Sequence, residues 1–199
     1  MTEFERQGRA LGFDRIAGVD EAGRGPLAGP VAAAAVILPP GYENGDIRDS
    51  KKLSPAKREK LYHRILLDAL SVKIAFVEPS VIDAVNILQA TVLAMRKAVQ
   101  GLSPPPDFVL VDGSTAINLD IPQKTIIKGD SRSVSIAAAS IIAKVSRDHL
   151  MDRYHVQYPQ YNFRSNRGYG TREHREAIGK HGICKIHRKS FNIKIEQPS

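Results

Sequence analysis

The sequence predicts an α/β fold with a mixed sheet. Short apolar runs bounded by Gly, Pro or Asp recur along the chain, segments with helical spacing lie between most of them, and the first two runs are joined by a turn too short for a crossover helix. Strands joined so tightly pair antiparallel if they pair directly, so a sheet otherwise built by strand–helix alternation becomes mixed.

The first strand is expected at RIAGVD, 15–20, and the second at VAAAAVIL, 31–38, where the alanines leave a helix possible. Ser54 before Pro55 marks a helix start, and Leu61, Ile65 and the group Leu66, Leu67 and Leu70 carry that helix over about 55–69. VKIAFVE, 72–78, alternates as a strand. A second helix should begin near 80 or 85 and stop at Gly101, with Val85, Leu88, Val92 and Met95 as its buried stripe. Three prolines at 104–106 force extended chain into the buried strand DFVLVD, 107–112. TIIKGD, 125–130, reads as a short strand or edge segment, and SRSVSIAAASIIAKVSRDHLMDRY after it as one long helix buried through Val134, Ala138, Ile141 and Val145.

A chain of 199 residues suffices for one well-buried core, or one with a short appendage. Hydrophobic residues at 42% and charged residues at 25% exclude disordered and fibrous classes. The longest apolar run, 31–38, is far below the roughly 20 residues that span a bilayer, so no membrane span is expected. The N-terminus MTEFERQGRALGFDR lacks an apolar signal core, and a single cysteine, Cys184, rules out an internal disulfide; a cytoplasmic protein is expected. The net charge of +8 is concentrated in residues 151–199, where ten basic residues face four acidic ones. A polyanionic partner fits that tail, although a solvated surface explains it too.

Residues 18–30, GVDEAGRGPLAGP, put two carboxylates at a strand end directly before a Gly-rich turn with one arginine. The turn is G-x-G-x-x-x-G with Pro26 inside and a strand after it, which disqualifies a dinucleotide fingerprint, and no P-loop occurs. Acids recur in the same kind of place: Asp20 and Glu21 end the first strand, Asp112 ends VLVD, and Asp130 ends TIIKGD. Side chains at such ends converge in α/β sheets, and converging carboxylates demand protons or cations. A hard divalent metal such as Mg²⁺ takes oxygen ligands and leaves positions for phosphate, which points to metal-assisted phosphoryl chemistry. Capping and Asx turns remain the alternative, strongest for Asp130 with Ser131 beside it. Asp148 lies mid-helix and could face the sheet. His181, Cys184 and His187 lie at three-residue intervals, with only His174 nearby as a fourth ligand, so zinc is not expected.

GVDEAGRGPLAGPV at 18–31, DSKKLS at 49–54, VDG at 111–113, KGDSRSVSIAAASIIAKVSRD at 128–148, GYGT at 168–171 with His174 after it, and HRKSF at 187–191 closely resemble bacterial type 2 ribonuclease H, the ribonuclease HII family, in that family's order over nearly the whole chain. The resemblance implies an RNase H-like mixed five-stranded sheet flanked by helices, with a helical C-terminal segment. It implies a catalytic domain over 1–152 and a basic segment over 153–199 that completes the substrate groove. The implied enzyme hydrolyses RNA in RNA–DNA hybrids and cuts 5′ of ribonucleotides embedded in duplex DNA, leaving 3′-OH and 5′-phosphate ends, with Mg²⁺ or Mn²⁺ as cofactor. A monomer is expected.

The family's carboxylate quartet falls on Asp20, Glu21, Asp112 and Asp130, the positions that strand ends already select. Its glycine-arginine-glycine element falls on Gly23, Arg24 and Gly25, and its substrate-sensing tyrosine on Tyr169, for which a plain surface aromatic is the alternative. The motif begins 17 residues from the first, leaving no room for the extra domain of ribonuclease HIII, and position 24 is Arg where that group typically has Lys. Asp20 should bridge two metals. Glu21 is the difficulty, because consecutive strand residues face opposite sides, so either the strand breaks at Asp20 or Glu21 acts through its backbone or a water. Lys51 and Lys52, with Arg164, Arg167, Arg172, Arg175, Lys180, Lys185, Arg188 and Lys189, are expected to grip phosphates without reading sequence. A nucleic-acid-binding module without catalysis shares the basic charge and the exposed loop, but four acids around a phosphate would repel it unless metal were bound. A nuclease of the same fold with another substrate, such as a Holliday-junction resolvase, is disfavoured by Gly-Arg-Gly and GYGT.

Overall fold

The computed structural model describes residues 1–47 and 53–193, so Lys51 and Lys52 lie outside it. The element order is α1 (Glu3–Ala10), β1 (Ile16–Ala22), β2 (Val31–Ile37), α2 (Pro55–Asp68), β3 (Ser71–Val77), α3 (Pro79–Gln100), β4 (Phe108–Asp112), β5 (Gln123–Ile126), α4 (Val134–Gln157), α5 (Phe163–Asn166) and α6 (Arg172–His181). The strands form one five-stranded sheet in the order β3-β2-β1-β4-β5. β1 pairs antiparallel with β2, as its short connection requires, and parallel with β4; β2–β3 is antiparallel and β4–β5 parallel. The mixed α/β architecture is the one expected.

VAAAAVI is a strand, not a helix, because it pairs with β3 along its whole length and with β1 from Ala32 to Ile37. Its alanines are fully buried and small, so helices pack closely on both faces of the sheet. On one face Ala17, Val19, Ala33, Ala35, Val109 and Val111 meet α3; on the other Ala34 and Val36 meet α2 and α4. Gly18 is where α4 crosses β1: a Cβ there would lie 2.1 Å from the Ser135 carbonyl carbon. A larger residue would push α4 off the strand that carries Asp20.

Helix starts follow the local chemistry. Ser54 accepts from the Lys57 amide at 3.3 Å, Ser133 from the Ile136 amide at 3.2 Å, and Thr171 from the His174 amide at 3.3 Å. The stripe expected on α3 is displaced. Asn86 has φ 71° and ψ 166°, outside helical space, and its Oδ1 accepts from the Gln89 amide, so a new helical segment starts there. This resets the phase: Val85 and Leu88 are 39% and 41% exposed, while Ala90, Ala94, Met95 and Ala98 are buried. Helix α4 is buried on more than the expected stripe, because the sheet, α2 and the C-terminal segment all pack on it. It also carries the chain continuously through residue 152.

The sequence did not foretell α1. Its Glu5 is buried, and Oε1 accepts from Ser133 Oγ at 2.6 Å, the Ser135 amide at 3.0 Å and Ser135 Oγ at 2.9 Å, all at the start of α4. At the far end, His187 bridges to Ala28, and Asp83 of α3 accepts from the Lys189 and Ser190 amides.

Candidate active site

The parallel ladder of β1 and β4 ends at Val19–Val111. Just beyond it the two strands deliver Asp20, Glu21 and Asp112 to one end of the sheet, where one carboxylate oxygen from each lies within 4.8 Å of the others. Strand β1 does not break at Asp20; it stays paired with β2 through Ala22. Glu21 reaches the cluster with its own carboxylate, because β4 no longer flanks β1 there and the side chain is long enough to turn into the open strand end. The alternation rule fails only where a strand has lost one neighbour.

Asp20 is 5% exposed, and its Oδ1 accepts from the Glu21 amide at 2.7 Å. Burial, then the charges of Glu21 and Asp112, hold its carboxyl well above the usual carboxylate range. Burial also raises Glu21, against the opposing pull of Arg24, whose Nη1 lies 3.3 Å from Glu21 Oε1. Carboxylates gathered where they resist ionising are the donor set that a hard divalent cation stabilises. Asp130 is equally buried, in the 3-10 turn Gly129–Ser131, and stands outside the three-residue set. Its turn is tied to the cluster, since the Gly129 amide donates to Asp112 Oδ1 at 2.6 Å. Asp148 turns to its own helix and accepts from Lys144 Nζ at 2.7 Å.

The Gly-rich turn begins beside the carboxylates. Gly23 has φ +90°, and a Cβ on it would stand 2.0 Å from Arg147 Nε, so only glycine fits. A Cβ on Gly25 would meet just Tyr169 Cε1, at 3.6 Å. Tyr169 is 47% exposed and, with Glu21, Gly23, Arg58, Ser140 and Lys144, lines a cleft of about 370 Å³. The GYGT turn is docked on the Gly-rich turn: the Leu27 and Ala28 amides both donate to the Gly168 carbonyl, at 2.8 and 3.3 Å. Residues at least 140 positions apart in sequence therefore share one wall.

The basic tail divides in two. Lys180, Lys185 and Lys189 are exposed, while Arg167 pairs with Asp152 and Arg172 with Glu176. Arg188 corrects the expectation of a phosphate contact: it is 0% exposed and donates to backbone carbonyls. His174, Cys184 and His187 do come together, but His187 Nδ1 accepts from the Cys184 amide and its Nε2 faces His174 Nε2, so the ring nitrogens serve one another.

A ribonuclease HII family profile matches residues 17–194. The chain belongs to the ribonuclease HII family. It is 64% identical over 198 residues to the ribonuclease HII of Syntrophus aciditrophicus, covering 100% of this chain and 93% of that protein. The ribonuclease HII of Geotalea uraniireducens is 56% identical over 191 residues, 96% of this chain and 88% of its own length. The crystal structure of ribonuclease H2 from Pyrococcus horikoshii superposes with a TM-score of 0.76 at 26% identity, covering 90% of this chain and 94% of that one. Family membership makes the chain an enzyme, a ribonuclease H hydrolase.

For a ribonuclease HII, the site contains residues that motif reading passed over. Ser140 faces Asp20 from α4 and favours its ionised form, Lys144 lines the cleft one turn further on, and Arg147 lies under Gly23. An arginine and a lysine among the apolar residues of SIIAKVSR were the available signal, since charges on a buried helix face need a reason.

Proposed function

We propose that this ribonuclease HII hydrolyses RNA in RNA–DNA hybrids and incises duplex DNA on the 5′ side of an embedded ribonucleotide, leaving 3′-OH and 5′-phosphate ends. The observation that carries the reading is the carboxylate cluster beside the Gly-rich turn, within 4.8 Å for Asp20, Glu21 and Asp112. Acid oxygens alone would repel a phosphodiester; their raised affinity for positive charge supports divalent cations, Mg²⁺ or Mn²⁺, as the missing element. Asp20, Glu21 and Asp112 would hold them, with Asp130 joining from the adjoining turn. When bound, such ions supply a water of lowered pKa and stabilisation of the leaving 3′ oxygen.

The rest of the chemistry belongs to the chain. Ser140 and the Glu21 amide orient the Asp20 carboxylate. Arg24 restrains Glu21 while keeping half its side chain in solvent. Gly23, Arg24 and Gly25 test the 2′-OH, which both donates and accepts, through backbone groups at fixed positions. Tyr169 stacks on the neighbouring sugar or base across the cleft, and its exposed ring beside the Gly25 turn suits that role. The basic segment from 153 onward completes the groove, and its exposed lysines hold the backbone without sequence preference. Lys51 and Lys52 add to that grip. A cytoplasmic monomer suits this reading; no helix among the described residues is long and apolar enough to cross a membrane.

The test is cleavage of a duplex containing one ribonucleotide, with and without Mg²⁺ or Mn²⁺, beside Asp20→Asn. Metal-dependent incision 5′ of the ribonucleotide, lost in the variant, is expected. Equal cutting of an all-DNA duplex, or full activity in Asp20→Asn, overturns the proposal.

A further inference from the structure

Six carbonyl oxygens of the segment 23–30 are taken by two buried arginines from distant parts of the chain. Arg188 donates through Nη2 to Gly23 O at 2.6 Å, through Nη1 to Arg24 O at 2.8 Å, through Nε to Gly29 O at 3.0 Å and through its amide to Leu27 O at 2.8 Å. Arg147 donates to Pro30 O at 3.0 Å and Ala28 O at 3.1 Å. Both side chains are almost fully buried, and among the described residues no carboxylate hydrogen-bonds or ion-pairs with either guanidinium, Asp148 and Asp83 acting on them only from further off. A buried cation without an acid partner is costly, so its retention at two neighbouring positions asks for a use.

The use follows from peptide geometry. In a trans peptide the C=O and N–H of one unit point in opposite directions. The Gly23 carbonyl shares its unit with the Arg24 amide, and the Arg24 carbonyl with the Gly25 amide. With both carbonyls drawn inward to Arg188, both amides are aimed away from it, and neither has a hydrogen-bond partner among the described residues. The adjacent amides of Leu27, Ala28 and Gly29 are all used internally. A charged donor on each carbonyl also polarises the peptide and strengthens its amide as a donor. We propose that Arg188 is a positioning residue for substrate recognition: it fixes the two peptide planes so that the Arg24 and Gly25 amides present donors to a sugar or phosphate oxygen in the cleft beside Tyr169. Burial and the neighbouring Arg147 lower the Arg188 pKa only to about 9, so the charge persists at neutral pH. This rests on the ribonucleotide-cleaving reading above, but assigns its orientation to a residue that touches no substrate.

The experiment compares wild type, Arg188→Met and Arg188→Lys on two duplexes of one sequence, all-DNA and DNA with a single ribonucleotide. Arg188→Met should lower cleavage at the ribonucleotide about 100-fold, the scale of a misplaced recognition group. Its affinity for the all-DNA duplex, held by phosphate contacts, should stay within about 3-fold of wild type. Arg188→Lys, which keeps a buried cation, should recover part of the loss. The amide ¹H–¹⁵N peaks of Arg24 and Gly25 should shift in Arg188→Met and return toward wild type in Arg188→Lys. A merely structural role weakens both duplexes alike and leaves the selectivity ratio unchanged, which overturns the proposal, as does full cleavage by a folded Arg188→Met. If Arg188→Met does not fold, the same ratio in Arg188→Lys decides. If wild type itself fails to distinguish the duplexes, the proposed function falls, and the two amide peaks alone then judge the positioning.

Discussion

The Nε2 atoms of His174 and His187 lie 3.1 Å apart, room for one proton between them and none for two. Their tautomers follow from the neighbours. His174 Nδ1 faces the Tyr169 carbonyl at 2.8 Å and must carry a hydrogen, so its Nε2 accepts from His187; His187 Nδ1 is left to accept from the Cys184 amide at 2.9 Å. The chain of bonds ends on the Tyr169 backbone and holds that turn against the cleft.

Both imidazoles are consequently neutral in the fold. Burial lowers His174, and burial with the repulsion between two imidazolium rings lowers His187 to about 4, from an unfolded value of 6.5. A depressed histidine gives stability that is complete above 6.5 and lost as the pH falls toward 4. The loss from His187 by the lower end is on the order of 3 kcal/mol. Asp20, raised by burial, acts with the opposite sign, so the measurement is the difference between wild type and His187→Gln in thermal midpoint across this window. The variant's curve should be flatter; parallel curves reject the pair as the source.

Asp20→Asn should separate activity from stability. The folded protein holds Asp20 against its tendency to stay protonated, so without metal its ionised form is a cost at neutral pH. Asparagine removes that cost and should stabilise the metal-free protein by about 1 kcal/mol, while abolishing cleavage. The gain should vanish below the ordinary carboxylate range, where Asp20 is protonated in folded and unfolded chains alike. Wild type should melt higher on adding Mg²⁺ and the variant should respond far less. Calorimetry with EDTA or Mg²⁺ reads all three effects, and a variant less stable than wild type in EDTA contradicts the electrostatic account.

Strand runs such as VAAAAVI and VLVD were legible because apolar composition and bounding Gly, Pro and Asp are local properties. The carboxylate positions were legible for the same reason: each ends or follows a strand. Features set by distant pairing or by a backbone break were not. The direction of Glu21 depends on where the β4 ladder stops, which is a pairing fact. The phase of α3 depends on the break at Asn86, and asparagine in a helical pattern gives no notice of a positive φ. Arg188 read as a surface cation because composition cannot say that HRKSF folds back beneath the Gly-rich turn.

Gly23→Ala and Gly25→Ala should behave differently despite their symmetry in the sequence. At Gly23 a Cβ meets Arg147 Nε at 2.0 Å, and φ +90° is strained for alanine. A cost of roughly 1–3 kcal/mol is expected, with loss of cleavage as Arg147 and the loop above it shift. At Gly25 the new methyl finds only Tyr169 Cε1 at 3.6 Å, an ordinary contact. Gly25→Ala should melt within about 2 °C of wild type, a change of no more than about 1 kcal/mol, and lose activity only through crowding of the cleft. Equal melting shifts in the two variants exclude the Arg147 contact as the reason for glycine at position 23.

Glu5 offers the last test, because it lies far from the carboxylates yet fixes the helix that faces them. Its Oε1 satisfies three donors at the start of α4, and the same first turn takes the Met1 carbonyl on the Val134 amide at 2.9 Å. Glu5→Ala strands those donors in a buried place and removes a negative charge from a helix N-terminus, which together should cost about 2–3 kcal/mol. Glu5→Gln keeps an acceptor oxygen and loses mainly the charge, so about 1 kcal/mol is expected. Ser140 sits almost two turns beyond the anchored end of α4, where the fully buried Ile141 and Ile142 pack the helix into the core independently of Glu5. Cleavage by either variant, measured well below its melting point, should therefore remain within about 3-fold of wild type, since local fraying at a helix end does not propagate through a packed interior. Urea denaturation gives the first quantity and initial rates the second. A large activity loss in a fully folded Glu5→Gln shows instead that α1 sets the position of Ser140 against Asp20.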